Sequence, residues 1–173
     1  LEKICTKVSK IIIRDFGEIE KLQVSKKGPG DFVTKTDKKV ESIIIEELEK
    51  ARPNYGFIAE ETGRNINESE FNWVIDPIDG TSNFMHGIPH FAISIALQKN
   101  SEIVSGLIFD PIKDEIFFAE KNNGSFMNNS RIRASNKSNL DDCLFSTNSN
   151  GIKLVYPKLN LRNTGCAALD MAY

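Results

Sequence analysis

A short apolar strand that runs into two closely spaced carboxylates is the feature that most restricts how this chain can fold. Residues 73–75 (Trp-Val-Ile) lead into Asp76 and Asp79, and a Gly-Thr-Ser turn follows at 80–82. Pro77 is expected to stop the strand and to fix the backbone between the two acids, so that both carboxylates converge. The glycine allows close backbone approach, and the hydroxyl residues after it can begin a helix whose free N–H groups suit an anion. The run therefore predicts a phosphate site beside a cation site.

The residue types in this run match the ligands that hard divalent cations take. Mg²⁺ prefers oxygen and usually binds one or two protein carboxylates, leaving positions for water and substrate phosphate. Two such ions can activate a water molecule and neutralise a leaving oxygen. An isolated Asp-x-x-Asp-Gly is more simply a strand that ends in a polar turn, with Ser82 as a helix cap. The metal interpretation therefore depends on acids elsewhere in the chain.

A second apolar strand supplies such an acid. Residues 57–59 (Phe-Ile-Ala) end at Glu60. If this strand lies parallel to residues 73–75, Glu60 lies at the same carboxyl edge as Asp76, where open α/β sheets place their ligands. Further upstream, Asp37 opens a helical segment and, taken alone, is typical of a helix N-cap.

These segments together resemble the inositol monophosphatase family, within the superfamily of Mg²⁺-dependent, lithium-sensitive phosphatases. The resemblance runs through GDFVTKTD (30–37), FIAEETG (57–63), WVIDPIDGTSNF (73–84) and NTGCAALDMAY (163–173), so it covers essentially the whole chain. It implies an α/β (α+β) fold, the layered αβαβα sandwich of the sugar phosphatases, with the second half incomplete.

The resemblance also implies roles for individual residues. Glu60, Asp76 and the carbonyl of Ile78 would bind a first Mg²⁺, and Asp76 with Asp79 would contribute to a second, in a site of two or three ions. Thr81 with Glu60 would orient and deprotonate the attacking water, and Asp37 would hydrogen-bond Thr81. The implied phosphate- or substrate-binding residues are Asp79, Gly80, Thr81, Gly165 and Cys166. Cys166 lies near the implied substrate pocket, although a buried small hydrophobe is the simpler interpretation of this residue.

Lys26 matches a position in a mobile loop near the family's site. The surrounding loop, Lys26-Lys27-Gly28-Pro29-Gly30, is equally well explained as a solvated charge beside a Gly-Pro-Gly turn.

The two ends of the chain differ from the family pattern. In the family, a further Asp in a tryptophan-containing C-terminal motif completes the second metal site, and a nearby acid binds the substrate hydroxyls. The last residues before Tyr173 are typical of the first turns of a helix, and Leu1 already belongs to an amphipathic helical pattern. We expect a fragment: one truncated unit over 1–173, with a first α/β half over about 1–140 and the start of a second half over 141–173.

Composition sets wide limits on the class of protein. The chain has 173 residues, is 40% hydrophobic and carries a net charge of -2, as expected for one globular domain without a general electrostatic attraction to nucleic acid or membranes. The apolar runs are too short to span a bilayer. Cys5, Cys143 and Cys166 lack metal-site or disulfide spacing, which favours a reducing cytoplasm. The family resemblance implies a homodimer.

Apolar periodicity predicts helices over 1–22 and 37–51. Strands are predicted over 91–98, 103–109 and 115–120, joined as antiparallel hairpins. His86 and His90 are four residues apart, but the intervening Gly and Pro disfavour a helical zinc pair and favour packing roles.

The leading interpretation is hydrolysis of a small phosphate monoester, inositol monophosphate, by a metal-activated water. Within the same superfamily, fructose-1,6-bisphosphatase and 3'-phosphoadenosine nucleotide phosphatase activities are alternatives. An alternative of another class is a catalytically inactive remnant or binding partner, because the family's C-terminal acids are absent from these residues.

Overall fold

A computed structural model describes residues 1–19, 24–28, 31–147 and 160–173, with the backbone alone at 24–28 and 31–34. In chain order, the elements are α1 (Glu2–Phe16), β1 (Val24–Gly28), β2 (Asp31–Thr34), α2 (Lys35–Ala51), β3 (Gly56–Ala59), β4 (Gly63–Asn65), β5 (Phe71–Asp79), α3 (Thr81–Met85), β6 (Ala92–Lys99), β7 (Glu102–Asp110), β8 (Glu115–Glu120), β9 (Gly124–Met127), β10 (Ser130–Ile132), a 3-10 turn (Leu140–Asp142), β11 (Leu144–Ser146), β12 (Asn160–Arg162) and α4 (Ala167–Ala172).

An eight-stranded sheet in the order β10-β9-β8-β7-β6-β5-β3-β4 forms the centre of the molecule. From β5 to β10, each strand pairs antiparallel with the next strand along the chain, and the short polar connections after β6 and β7 predict this arrangement. β3 pairs parallel with β5, and Phe57, Ile58 and Ala59 lie opposite Trp73, Val74 and Ile75. The expected parallel pairing of the two acid-bearing strands is therefore confirmed.

The two long helices, α1 and α2, cover one face of this sheet. α1 buries Val8 and Ile12, and α2 buries Val40, Ile44 and Leu48, at the three- and four-residue spacing of a helix face. These side chains share one core with strand residues that include Ile75, Ile95 and Phe109. The helix–sheet core fixes α2 against the strands that carry the predicted acids.

The opposite face of the sheet is contacted by α4. Ala92 of the sheet forms a smaller core with Cys166, Ala168 and Leu169, and Ile108 packs against it. β11 and β12 pair parallel in a separate two-stranded sheet. The mixed, layered α+β architecture agrees with the predicted fold class, whereas the division near residue 140 stays a prediction.

Two predicted boundaries are wrong. Pro77 does not stop the strand: β5 continues to Asp79, with a register irregularity between Asp76 and Asp79, where proline is tolerated because the ladder does not use its missing N–H. α1 ends at Phe16 instead of near residue 22, and Gly17 follows it in a turn. The predicted positions 20–22 lie outside the described residues. Among the described helices, none has both the length and the apolarity needed to cross a bilayer.

Replacement of Ile44 by alanine tests the helix–sheet core. Ile44 is fully buried, so Ile44→Ala is expected to lower the free energy of unfolding by about 2–5 kcal/mol, because it removes packed methyl groups and leaves a cavity. Ile13 lies on the exposed side of α1, and Ile13→Ala should change the same quantity by less than about 1 kcal/mol. Urea denaturation measures both values, and equal losses would contradict the assigned core.

Candidate active site

The parallel pairing of β3 and β5 brings the predicted carboxylates to one edge of the sheet. Ala59 lies opposite Ile75, so Glu60 and Asp76 follow paired positions, and the Glu60 N–H donates to the Ile75 carbonyl at 3.2 Å. Asp37 lies in the first turn of α2 and is buried. Residues far apart along the chain therefore meet beside the end of β5.

Asp76 shows how closely these acids approach one another. Partial burial, the negative charges of Glu60, Asp79 and Asp37, and a hydrogen bond with Glu60 raise its pKa from the usual 3.8 to about 8. Its Oδ1 accepts a hydrogen bond from the Ile78 N–H at 3.1 Å. Like charges held this close disfavour ionisation, and a bound cation would reverse that effect.

The donor set fits a hard divalent cation. Glu60, Asp76 and Asp79 offer carboxylate oxygens and Ile78 offers a carbonyl, which are the ligand types that Mg²⁺ takes. In the described part of the chain, no group of three or more acidic, histidine or cysteine side chains is arranged to hold a metal ion by itself. A Mg²⁺ site can rely on one or two carboxylates, because water and substrate oxygens complete its octahedron.

Gly80 makes the tight turn between β5 and α3. It precedes α3 with φ of 92°, in the left-handed region that favours glycine. A Cβ there would lie 3.0 Å from the His90 carbonyl oxygen and 3.2 Å from the Cβ atoms of Cys166 and Phe91. A side chain at position 80 would therefore be strained by its backbone conformation and would have to displace these neighbours.

Thr81 is half-buried at the start of α3, and its hydroxyl donates to the Ile78 carbonyl at 2.9 Å. The Ile78 carbonyl, which the resemblance implies is a metal ligand, therefore contacts the Thr81 hydroxyl, which the resemblance implies orients the attacking water. The predicted hydrogen bond between Asp37 and Thr81 stays a prediction.

Asp79 connects the site to the opposite face of the sheet. Its Oδ2 accepts hydrogen bonds from the Ala168 N–H at 2.5 Å and from the Cys166 thiol at 3.3 Å. Cys166 is completely buried. This burial is the main reason that the pKa of its thiol lies well above the usual range, and the nearby Asp79 and Asp170 carboxylates raise the pKa further. Cys166 is thus a neutral hydrogen-bond donor to Asp79.

Asn83 was missed by the sequence analysis, although it lies within the central motif. Its side-chain amide donates to the carbonyls of His90 at 2.7 Å and Thr164 at 2.8 Å. A Cβ on Gly165, whose φ is +80°, would contact the Asn83 side chain. Asn83 therefore ties the α3 turn to the segment that contains Gly165 and Cys166, which places these two predicted substrate-binding residues beside the turn.

The remaining predicted residues lie as follows. Lys26 belongs to strand β1 instead of a loop and pairs with Phe32, but its side chain and residues 29–30 lie outside the described part of the chain. Its predicted position near the site stays a prediction. His86 is exposed and follows the last residue of α3, so neither histidine lies within that helix. The His90 ring nitrogen Nε2 is 3.9 Å from an oxygen of Asp170.

Glu41 was also missed. It is a completely buried carboxylate on α2, four residues after Asp37, and it accepts hydrogen bonds from the segment that follows Glu60. The available signal was a charged residue within the apolar stripe formed by Val40, Ile44 and Leu48.

A layered α+β fold with a carboxylate cluster beside a glycine turn at one sheet edge is the architecture of the metal-dependent sugar phosphatases. The chain belongs to the inositol monophosphatase family, whose family model matches residues 1–173.

Named relatives agree with this assignment. The chain is 44% identical to an inositol-1-monophosphatase of Rhizobium meliloti, over 96% of this chain and 68% of the relative. It is 35% identical to the Nus factor SuhB of Xylella fastidiosa, over 99% of this chain and 66% of that protein. Family and relatives together indicate a phosphatase.

Solved structures show the same fold. The inositol monophosphatase of Thermotoga maritima superposes with a TM-score of 0.90 at 34% identity, over 99% of this chain and 69% of that structure. A protein described as an inositol monophosphatase-fructose 1,6 bisphosphatase gives a TM-score of 0.87 at 32% identity, with the same coverage of 99% and 69%.

The substitution Gly80→Ala tests the close packing of the turn. Positive φ costs alanine about 1–2 kcal/mol, and the contacts of the new Cβ add about 1–3 kcal/mol, so the free energy of unfolding should fall by about 2–5 kcal/mol. Gly87→Ala is the matched control, because Gly87 has φ of +70° and a Cβ added there would meet no atom within 4 Å. It should lose only about 1 kcal/mol. Equal losses in urea denaturation would contradict the packing.

The substitution Asp76→Asn tests the crowding of the carboxylates. The pKa of Asp76 is raised to about 8 in the folded state, so between the usual 3.8 and 8 the folded state holds a proton that the unfolded state has lost. The free energy of unfolding of the wild-type protein without metal should therefore fall as the pH rises towards 8. In the presence of a chelator, Asp76→Asn should therefore match the wild type near pH 4 and exceed it by more than about 1 kcal/mol at pH 8. Added Mg²⁺ should raise the melting temperature of the wild type alone. Parallel pH profiles for the two proteins would contradict the electrostatic assignment.

Proposed function

We propose that this protein hydrolyses a small phosphate monoester, with inositol monophosphate as the leading substrate, in a Mg²⁺-dependent reaction. The observation that carries the proposal is the convergence of Glu60, Asp76 and Asp79 beside the turn at Gly80 and Thr81. The assignment to the family supports the same reaction class.

The residues that would hold the cations are Glu60, Asp76, Asp79 and the carbonyl of Ile78. Bound there, the cations would supply Lewis acidity to a water molecule and to the leaving oxygen. The charges of Glu60 and Asp79 both act on Asp76. Asp76 is therefore the carboxylate that we propose as a ligand of more than one ion.

The chain's own groups would orient the reactants. Glu60 is exposed at the edge of the sheet and would accept the proton of the attacking water, while the Thr81 hydroxyl would fix the direction of that water. The backbone N–H groups of Gly80 and Thr81 would hold the phosphate oxygens, as at other helix starts. Gly165 and Cys166 would contact the substrate from the far side of Asp79, with which the Cys166 thiol is hydrogen-bonded.

Two further activities remain as alternatives within the superfamily. One solved relative is described as both an inositol monophosphatase and a fructose 1,6 bisphosphatase, which favours fructose-1,6-bisphosphate as a second substrate to test. A 3'-phosphoadenosine nucleotide is the third.

A binding role is the alternative of another class. Several relatives, including the one from Xylella fastidiosa, carry the name Nus factor SuhB, which does not describe an enzyme. This observation favours testing the protein both as a catalyst and as a partner in an assembly.

The remaining features of the proposal follow the family resemblance. They are a site with two or three Mg²⁺ ions, inhibition by lithium, a cytoplasmic setting and a homodimer. Lys26 is proposed to approach the site from β1.

Release of inorganic phosphate from inositol monophosphate tests the proposal directly. Glu60→Gln should lower kcat by about 10²–10⁴-fold, because it removes the proton acceptor together with a metal ligand. Thr81→Ala should lower kcat within the same range, whereas Ser82→Ala, which removes the adjacent exposed hydroxyl, should retain wild-type kcat.

Fructose-1,6-bisphosphate and 3'-phosphoadenosine 5'-phosphate are assayed in parallel. A higher kcat/KM for either would transfer the proposal to that substrate. Absence of Mg²⁺-dependent phosphate release from all three would contradict the enzymatic proposal and favour the binding role.

A further inference from the structure

Glu60, the proposed proton acceptor and metal ligand, keeps one backbone hydrogen bond to the sheet, to the Ile75 carbonyl, but residues 61 and 62 after it lie outside the strand pairing. Ala59 of β3 pairs with Gly63 of β4, so residues 60–62 form the connection between two antiparallel strands. β4 is the outermost strand of the eight-stranded sheet, three residues long. A connection at such an edge has few sheet contacts to restrain it.

Glu41 of α2 supplies the missing restraint. Its Oε2 accepts the Glu61 N–H at 2.7 Å, and its Oε1 accepts both the Thr62 N–H at 2.7 Å and the Thr62 hydroxyl at 2.5 Å. The Glu41 side chain is completely buried, so these bonds are shielded from competing water.

The position of Glu41 on α2 explains why this restraint bears on the site. Asp37 lies one helical turn earlier on the same helix, and its charge acts on Asp76. The core contacts of Val40 and Ile44 hold this part of α2 against the sheet. One rigid helix therefore fixes the segment after Glu60 relative to Asp76.

We propose that Glu41 is a positioning residue that holds Glu60 at the carboxyl edge of β3 and thereby sets the affinity of the site for its divalent cation. This inference rests on the proposed function, because it takes Glu60 as a cation ligand. Glu41 would act indirectly, through its hydrogen bonds with Glu61 and Thr62.

The substitution Glu41→Gln tests the proposal with little change in shape. Glutamine keeps one oxygen but turns an NH₂ group towards a backbone N–H donor, so at least one hydrogen bond is lost. The Mg²⁺ dissociation constant, measured by isothermal titration calorimetry, should rise by about 10–100-fold, the usual effect of removing a group that orients a metal ligand. kcat should fall, whereas KM for inositol monophosphate at saturating Mg²⁺ should stay within about twofold of wild type.

Glu49→Gln is the matched control, because Glu49 is an exposed glutamate on the same helix. It should leave the Mg²⁺ dissociation constant and kcat unchanged. A role of Glu41 in folding alone would lower the melting temperature or the binding stoichiometry of Glu41→Gln but would leave the dissociation constant of the folded protein at the Glu49→Gln value. That result would overturn the proposal.

A second pair of variants keeps the test decisive if Glu41→Gln does not fold. Thr62→Val removes only the hydroxyl bond to Glu41 and should raise the Mg²⁺ dissociation constant by about fivefold, whereas Thr62→Ser keeps that bond and should behave as wild type. Equal dissociation constants for the two Thr62 variants would overturn the proposal.

Glu60→Gln separates this inference from the proposed function. Unchanged Mg²⁺ binding and turnover in Glu60→Gln would contradict the proposed metal site itself. If Mg²⁺ binding and turnover fall in Glu60→Gln but stay at the wild-type level in Glu41→Gln, the proposed function stands and only the proposed role of Glu41 is overturned.

Discussion

The parallel pairing of β3 with β5 is the constraint on which the candidate site depends. Because both strands run in the same direction and Ala59 lies opposite Ile75, Glu60 and Asp76 leave the sheet at the same edge. In a regular strand, residues three apart point to opposite faces, so Asp76 and Asp79 would diverge. The register irregularity between them changes this relation, and the charge of Asp79 acts on Asp76. Strand direction and one local irregularity thus assemble the carboxylate cluster.

The surroundings of the buried acids distinguish structural carboxylates from proposed ligands. Glu41 accepts three hydrogen bonds from Glu61 and Thr62, so both of its oxygens already have donors. Asp76 has one backbone donor, from Ile78, and its burial and the neighbouring acids together raise its pKa. The hydrogen bonds of Glu41 are therefore satisfied without a ligand. A cation would stabilise Asp76, which is a physical reason to assign Asp76 to the proposed metal site.

Much of this arrangement was predictable from sequence, and the exceptions have identifiable causes. The pairing of β3 with β5 followed from two short apolar strands that each end in an acid. The strand end at Pro77 was wrong because the irregularity in β5, which tolerates proline, depends on pairing with β6. Glu41 was missed because its hydrogen-bond donors lie 20 and 21 residues away in the chain and become its neighbours only after α2 packs on the sheet.

The two Asp residues of β5 connect the site to elements on opposite faces of the sheet. Asp76 interacts electrostatically with Asp37 of α2, whereas Asp79 accepts the Ala168 N–H of α4. The intervening turn at Gly80 leaves little room for a Cβ, because the His90 carbonyl and the Cys166 side chain pack against it. Since packed interiors transmit displacement instead of absorbing it, the distance between the proposed metal ligands and the proposed phosphate-binding turn is set jointly by both helical layers. The site is therefore a property of the layered fold and not of the Asp-Pro-Ile-Asp-Gly-Thr motif alone.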